Sequence, residues 1–502
     1  MSKARNNWIT ERSNRQLPTM KKHFSCLVGL LAVMAGVSAC QRGHSIAAEQ
    51  SGAVFVNVTV INPGVDRKSA QTVVVRGSRI ESISDSARGA PTAGSAYDGG
   101  YVLPGLIDMH VHQPSPGDWS GFVQWQLLYL AYGVTSVRNT GDNAGTVPQT
   151  QRQIQRGLLA GPRIFSCGPI IDGEPPLSPG AKVARNAAEA ESIVDAIAAT
   201  GVDCIKVYTN LSPDALRGVR DAATRHHLTL VGHVPATVKF EDAHLDDVQH
   251  LTGVPVMEPG PYPNRAVFVR ALVQGWNKLD DRRIAFIVRT SVEQKLVHTP
   301  TNVAEEQTPQ LLAGQYDQLV GETPEAYLLP RYYRDILWRP GGFLTTAGVP
   351  QLDSSDVAAI REKRRRVVRL LHQAGVTLHL GTDTTNPFVV PGKSLWQEMQ
   401  IFAQCGYTPE EVWEAATSQN AESLALPGLG ILKAGAPADL LLFRRDPTRD
   451  LSALSSLEAV VADGRLYSRA QLQDELARNR DHFDSWFHDH LFMVAVWVTS
   501  RL

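Results

Sequence analysis

The sequence has few cysteines, almost no net charge and no long apolar run. Five cysteines in 502 residues are too few for a disulfide-rich scaffold. The formal net charge is −1, with 49 Lys and Arg against 50 Asp and Glu, which excludes the basic surface of a general nucleic-acid binder. No apolar stretch reaches the roughly 18 residues that a membrane-spanning helix needs. The length and the 43% hydrophobic content indicate a large globular protein of enzyme size.

Several familiar catalytic motifs are also missing. The sequence contains no Walker loop, no dinucleotide fingerprint and no motif for a nucleophilic serine. Beyond residue 40 the cysteines are Cys167, Cys204 and Cys405, and this odd number favours buried thiols over disulfides. The 15 histidines are therefore the residues most informative about chemistry.

The first 40 residues predict export. A positive start at Met20-Lys21-Lys22 precedes an apolar stretch over 24–37, which is typical of a secretory signal. Val37-Ser38-Ala39-Cys40 resembles a bacterial lipoprotein processing box. The resemblance implies cleavage before Cys40, a lipid anchor on its thiol, and a periplasmic or outer-membrane location. A plain secretory signal with a chance cysteine is the alternative, and either Met1 or Met20 is the start.

Both ends of the remaining chain contain short strand-like segments. Residues 53–86 show alternating apolar positions and turn signals, and similar segments recur over 438–467. We therefore predict a small flanking β-sandwich that is formed by 41–101 and 426–470 together. Residues 471–502 form an amphipathic tail in this interpretation.

The middle of the chain, over 102–425, alternates strand-like and helix-like segments. Such repeated βαβ units predict an α/β fold with a parallel sheet, and their number favours a (β/α)8 TIM barrel. Residues 306–356 interrupt the alternation with prolines and aromatic residues, which predicts an insertion over one end of the barrel. The charge run over 361–366 is interpreted as a solvated helix face.

Six side chains at predicted strand ends suggest a metal site. His110 and His112 are two residues apart after an apolar run, so both side chains project from the same face of a strand. Four later strand-like segments each end in or contain a further metal-binding candidate, namely Lys206, His233, His250 and Asp383. A packing core would favour Val, Ile and Leu at such positions. The carboxyl ends of barrel strands form the active-site mouth, so these residues predict a metal centre there.

This pattern resembles the amidohydrolase superfamily of metal-dependent hydrolases. The likeness covers about 51–470, and residues 104–112 and 435–440 match it closely. Ile205-Lys206-Val207-Tyr208 resembles the prolidase and imidazolonepropionase-like branch, in which this lysine is carboxylated by CO2. The resemblance implies two divalent ions that are bridged by the carboxylated Lys206 and a hydroxide. Imidazole and carboxylate ligands favour zinc, while Mn²⁺, Co²⁺ and Fe²⁺ remain open alternatives.

The resemblance also implies roles for individual residues. One ion would be held by His110, His112 and Asp383, and the other by His233 and His250. Asp383 would accept a proton from the hydroxide and pass it to the leaving amine.

Three neighbouring residues have candidate roles of their own. Tyr208 lies on the face of Lys206 and is a candidate donor to an oxyanion or a substrate carboxylate, with a packing role as the alternative. Arg138 ends the second strand and is a candidate carboxylate clamp, with a structural salt bridge as the alternative. His379 lies deeper than Asp383, so we assign it a supporting role.

Three functions are consistent with these residues. The first is a binuclear hydrolase of amide bonds, similar to a dipeptidase, a prolidase or an N-acyl amino acid hydrolase. The second is a mononuclear cyclic-amide hydrolase resembling imidazolonepropionase, in which Lys206 binds no metal. The third is a surface lipoprotein that binds without catalysing. The expected partner is a small amide or dipeptide, with no nucleic acid, membrane contact only through the anchor at Cys40, and a homo-oligomer left open.

Overall fold

The computed structural model of the chain describes residues 52–86, 97–114, 118–340 and 352–499. The predicted export signal, including Cys40, lies outside these residues. The strands are β1 Gly52–Asn62, β2 Asp66–Arg76, β3 Arg79–Asp85, β4 Tyr97–Asp98, β5 Tyr101–Pro104, β6 Leu106–Val111, β7 Val134–Asn139, β8 Arg163–Ser166, β9 Ile171–Asp172, β10 Lys182–Val183, β11 Cys204–Val207, β12 Thr229–Gly232, β13 Asp247–Gln249, β14 Val297–Thr299, β15 Leu440–Phe443, β16 Leu457–Ala462 and β17 Arg465–Ser468.

The helices lie mainly between the central strands. They are α1 Trp119–Ala131, α2 Val147–Gln155, α3 Ala187–Ala198, α4 Pro213–Arg225, α5 Phe240–Ala243, α6 Arg265–Lys278, α7 Asp281–Glu293, α8 Asn302–Leu312, α9 Tyr316–Glu322, α10 Ser354–Gln373, α11 Lys393–Gln404, α12 Pro409–Glu414, α13 Asn420–Glu422, α14 Arg469–Phe483 and α15 Trp486–Thr499. Short 3-10 helices span Pro324–Leu328 and Leu451–Ser456, and π-helical turns span Tyr333–Leu337 and Ala415–Gln419.

Strands from both ends of the chain form one sheet, with the order β17-β16-β15-β5-β1-β2-β3 and β4 beside β1. The sheet curves so that its β3 edge approaches the segment before β15. A hydrogen bond from Ile80 N to Ala436 O at 3.0 Å joins the two. Buried residues such as Phe55, Val102 and Leu440 fill its interior. The contribution of both ends agrees with the prediction, but the strands belong to one continuous sheet rather than two. Residues 102–104 also belong to this sheet, since β5 pairs with β1 and β15.

Parallel segments in the middle of the chain are joined into a ring, named here the strand ring. The strands β6, β7 and β8 pair in parallel, as do β11, β12, β13 and β14. Asp203 N donates to Ser166 O at 2.8 Å and so connects β8 to the start of β11. Residues 376–384 close the ring, because His379 N donates to His298 O at 2.8 Å and Met109 N donates to Leu380 O at 2.9 Å.

Local capping explains where the helices around the ring begin. Helix α4 has Ser212 as its N-cap, whose hydroxyl accepts a hydrogen bond from Ala215 N, and a proline at its first position. Its buried face includes Leu216 and Val219 at helical spacing. Through this apolar face the helix packs against the outside of the strand ring. The carboxyl ends of the strands are not covered by this face and can therefore carry polar residues.

The structure contains a disulfide between Cys167 and Cys204, so the prediction of buried thiols is wrong for this pair. Cys405 is free and buried, as expected. The number of cysteines gave no information about which residues meet. Because β8 and β11 are neighbours in the ring, Cys167 and Cys204 approach to a Cα–Cα distance of 4.2 Å.

The predicted insertion over 306–356 begins within a helix rather than between two elements. Residue 306 lies inside α8, the helix that follows β14, and 341–351 are outside the described residues. The charge run is also only partly solvated, because the side chain of Arg364 is fully buried and Arg365 pairs with Glu306 at 2.7 Å. The sequence could not show this, since the acidic partners lie on a different helix.

The C-terminal tail forms the two helices α14 and α15. Asn479 on α14 donates a hydrogen bond to Ser120 O at 2.7 Å, which ties this helix to α1. Trp486 and Phe487 at the start of α15 are largely exposed. Among the described helices, none has both the length and the hydropathy that crossing a membrane requires.

Candidate metal centre

His110 and His112 project from the end of β6 toward Asp383. The Nε2 atoms of both histidines lie 3.3 Å from Asp383 Oδ1. The alternation of side chains along a strand places the two imidazoles on one face, as the sequence predicts. Backbone hydrogen bonds fix the third group, because Asp383 N donates to His110 O at 2.7 Å.

His250 completes a compact group with His110 and Asp383. Its Nδ1 lies 3.6 Å from Asp383 Oδ2, and its ring centroid is 4.5 Å from that of His110. One ligand atom from each of these three residues lies within 4.8 Å of the others. The backbones of His250 and Asp383 both have φ near +60°, a region that costs free energy for residues other than glycine. The surrounding structure therefore holds His250 and Asp383 in backbone conformations that are unfavourable on their own.

His233 lies next to His250, and Lys206 lines the same cavity. The His233 ring is 5.0 Å from that of His250, and its Nδ1 hydrogen-bonds with the Thr209 hydroxyl at 2.8 Å. This bond leaves Nε2 of His233 as the nitrogen available to a metal. Lys206 is buried and donates a hydrogen bond to Gln249 Oε1, so it does not pair with Asp203.

Burial favours the neutral form of three imidazoles in this cluster. It lowers the pKa of His110 to about 3 and the pKa values of His233 and His250 well below 6.5. Burial also lowers the pKa of Lys206 to about 7, so a large share of its amine is unprotonated near neutral pH. Burial alone would raise the pKa of Asp383, but the adjacent histidines hold it well below 3.8.

The donor set fits a divalent cation. Both ring nitrogens of His110 are buried without a hydrogen-bond partner, which is costly unless another group binds them. Neutral imidazoles combined with one ionised carboxylate are the ligands that zinc and similar ions prefer. The structure thus brings the six candidate ligands together, and all of them except the fully buried His110 line one cavity: His110, His112, Lys206, His233, His250 and Asp383.

Tyr208 lies beside this cluster, whereas Arg138 does not. The Tyr208 ring packs on His233 with a centroid distance of 4.1 Å, and it lines the cavity. Arg138 is buried below the cluster, where it pairs with Asp247 and donates to Met109 O at 2.8 Å. The interpretation of Arg138 as a substrate clamp is therefore wrong, because its side chain is buried inside the ring, where Nε and Nη2 are engaged, and it does not line the cavity. His379 also contacts Asp247, at 3.2 Å, in a supporting position as expected.

The cluster opens into a cavity of about 530 Å3. Its lining includes Arg265 on α6, which the sequence analysis did not single out. Arg265 makes no hydrogen bond or ion pair with another described residue, whereas Arg364 in the same lining pairs with Glu305 at 3.2 Å. No motif or strand pattern marks Arg265 in the sequence, because it follows a loop of irregular structure at the start of a helix.

Comparison with known proteins identifies the family of the chain. Residues 101–467 match the model of the amidohydrolase family. The chain belongs to this family. No curated protein matches it by sequence.

Solved structures show the same fold in several other proteins. A bottromycin amidohydrolase has 20% identity and a TM-score of 0.67, covering 90% of this chain and 94% of its own. A proposed prolidase from Bifidobacterium longum has 23% identity and a TM-score of 0.60, covering 85% of this chain and 98% of its own. A Xaa-Pro dipeptidase with bound methionine in its active site has 20% identity and a TM-score of 0.58, covering 83% of this chain and all of its own.

Proposed function

We propose that this chain is a binuclear metal-dependent hydrolase of amide C–N bonds. The observation that carries the proposal is the convergence of four histidines and Asp383 around the buried amine of Lys206. Dipeptides and N-acyl amino acids are the substrate classes we favour, in line with the family and with the dipeptidase among the structural neighbours. On this proposal the strand ring is a (β/α)8 barrel with a flanking β domain, and the enzyme is an exported lipoprotein.

The six residues divide between two ion sites. His110, His112 and Asp383 would hold one ion, and His233 and His250 the other. A neutral Lys206 amine can add to CO2 with loss of one proton, and the resulting carbamate has two oxygens that can serve both sites. Bound ions, most simply Zn²⁺, would polarise the scissile carbonyl and lower the pKa of water.

Other residues of the chain have distinct tasks in this proposal. Asp383 is ionised and buried within the cluster, so it can hold a proton and return it to the leaving amine. Burial raises the pKa of Tyr208 to about 12, which keeps its hydroxyl protonated as a hydrogen-bond donor. Arg265, rather than Arg138, is the cation that would bind a substrate carboxylate.

The test combines metal analysis with activity. We expect about two ions per chain, hydrolysis of members of a dipeptide and N-acyl amino acid panel, and loss of activity and of one or both ions in Lys206→Ala. After CO2 and bicarbonate have been removed from the wild-type enzyme, adding bicarbonate should restore its activity. The same addition should not restore the activity of Lys206→Ala. Lys278→Ala, at the exposed end of α6, is the matched control and should behave as the wild type.

A mononuclear site is the second candidate. It is favoured by the compact His110, His250 and Asp383 group and by the bond from Lys206 to Gln249. One ion per chain with full activity in Lys206→Ala would establish this alternative and exclude the carbamate bridge. A full metal complement without turnover across the panel would instead support a binding protein.

A further inference from the structure

One side of the active-site cavity is an apolar wall formed by a single helix face. Helix α6 turns five apolar side chains toward the cavity at helical spacing: Phe268, Val269, Leu272, Val273 and Trp276. The wall starts next to the metal centre, because the Phe268 ring is 6.4 Å from that of His233. It ends at Trp276, which is buried against the Arg364 guanidinium at 5.0 Å.

Two further helices extend the same apolar surface. Pro309 and Leu312 on α8, together with Ile360 on α10, line the cavity with the α6 wall. The charge on this side is already neutralised, since Arg364 pairs with Glu305 and donates to Pro300 O at 2.9 Å. Among the described residues that line this side, Arg265 is therefore the only charged group that remains available to a ligand.

The opposite side of the cavity is more polar. It is formed by loops near the ends of β6, β7 and β9 and by the segment after residue 382, where Pro114, Ile170 and Pro179 stand beside the polar side chains of Gln113, Asp142, Asn143, Ser178 and Asn386. The metal centre lies between the two sides, so an amide bound there would place its two substituents in different surroundings. A cavity of about 530 Å3 is within the range of roughly 300–1,000 Å3 that is usual for small-molecule sites.

We propose that the substrate carries an extended apolar group, as in an N-acyl amino acid with a medium-length acyl chain, and that this group lies along the α6 wall. A short dipeptide would leave most of the wall in contact with water, whereas an acyl chain would remove it from water. This inference rests on the proposed amide hydrolysis but concerns the substrate rather than the chemistry. It separates the N-acyl amino acids from the dipeptides named above.

Binding can be measured without turnover by using ketone analogues of N-acylglycines in which a CH2 replaces the amide NH. We expect 4-oxoundecanoic acid to bind the metal-loaded protein more tightly than 4-oxopentanoic acid in calorimetry. The expected gain is about fourfold for each of the additional methylenes that becomes buried. Equal affinities of the two acids would overturn the proposal.

Substitutions on α6 locate the effect. Leu272→Asp places a charge on the wall and should abolish the gain in affinity with chain length. Gln274→Asp introduces the same charge on the exposed side of the helix and should keep the gain. If Leu272→Asp does not fold, Val273→Trp provides the test, because it narrows the cavity and should shift the preference to shorter chains. A chain-length dependence that survives in both wall variants would contradict the proposal.

Turnover separates this inference from the proposed function. Hydrolysis of N-acetylglycine and N-octanoylglycine with equal kcat/KM would overturn the apolar subsite and leave the amide hydrolase intact. Tight binding of 4-oxoundecanoic acid without hydrolysis of any amide would support the apolar subsite and remove the proposed function.

Discussion

Asp108 and Thr382 join the first and last segments of the strand ring directly beneath the metal centre. The Thr382 hydroxyl donates to Asp108 Oδ2 at 2.6 Å, and Thr382 N donates to Asp108 Oδ1 at 3.0 Å. Asp108 is two residues before His110, and Thr382 immediately precedes Asp383. This fully buried contact therefore fixes the relative positions of His110 and Asp383, two proposed metal ligands that are distant in sequence.

Removal of the Thr382 hydroxyl should weaken metal binding. We expect Thr382→Val to lower metal affinity and kcat/KM by about 10- to 100-fold, since loss of supporting hydrogen bonds typically has effects of this size. Competition with a chromophoric chelator measures the affinity. Thr135→Val is the matched control, because the Thr135 hydroxyl is buried without a hydrogen-bond partner. Similar metal affinities in the two variants would show that the contact does not position the ligands.

The side chains that form the candidate metal cluster could be predicted from the sequence because their signal is local. His110 and His112 share a strand face, and His233, His250 and Asp383 each follow a short apolar segment, so the strand pattern alone indicates where their side chains point. The ring then brings these strand ends together.

The predictions that were wrong concern residues whose contact partners are distant in sequence. The partner of Arg138 is Asp247, 109 residues away, and nothing near Arg138 distinguishes a buried ion pair from a substrate clamp. The pairing of Cys167 with Cys204 likewise depends on β8 and β11 being neighbours. The position of Arg265 at the cavity likewise depends on where α6 lies relative to the strand ring, and no local sequence pattern shows this.

Arg265 should lower the KM of substrates that carry a free carboxylate. We expect Arg265→Met to raise KM about 10- to 100-fold for substrates with a free carboxylate, because it removes a charge-assisted hydrogen bond, while kcat changes less. Substrates whose carboxylate is blocked as an amide should show little change. Arg270→Met, on the exposed side of the same helix, is the control. An equal rise in KM for free and blocked substrates would contradict a carboxylate-binding role.

Asp247 should contribute strongly to stability. Asp247→Asn leaves the buried Arg138 without its ionic partner, so we expect a loss of about 3–5 kcal/mol in the free energy of unfolding of the metal-free protein. Urea denaturation measures this loss. Glu293→Gln, which breaks an exposed pair with Arg289, should change the stability far less. A small effect of Asp247→Asn would show that water reaches this pair.

The same carboxylate should give a defined pH dependence. Burial opposes ionisation of Asp247, but Arg138 and His379 hold its pKa below the ordinary value of 3.8. The folded state therefore binds the proton less readily than the unfolded state, and this stabilisation is present above the unfolded pKa and is lost as the pH falls toward the folded pKa. The stability difference between wild type and Asp247→Asn should be constant above about pH 5 and should shrink below about pH 4. A difference that grows with acidification would contradict this assignment.

The Cys167–Cys204 disulfide should stabilise the strand ring. It closes a loop with a sequence separation of 37 residues, for which chain entropy gives about 4 kcal/mol. The Cys167→Ser/Cys204→Ser double variant should therefore unfold at a lower temperature than the wild type in differential scanning calorimetry. Dithiothreitol should lower the Tm of the wild type and of Cys405→Ser but leave the double variant unchanged, since Cys405 is unpaired. Reduction of the denatured wild type should also release two additional reactive thiols. An unchanged thiol count and a Tm insensitive to reductant would show that the bridge does not form.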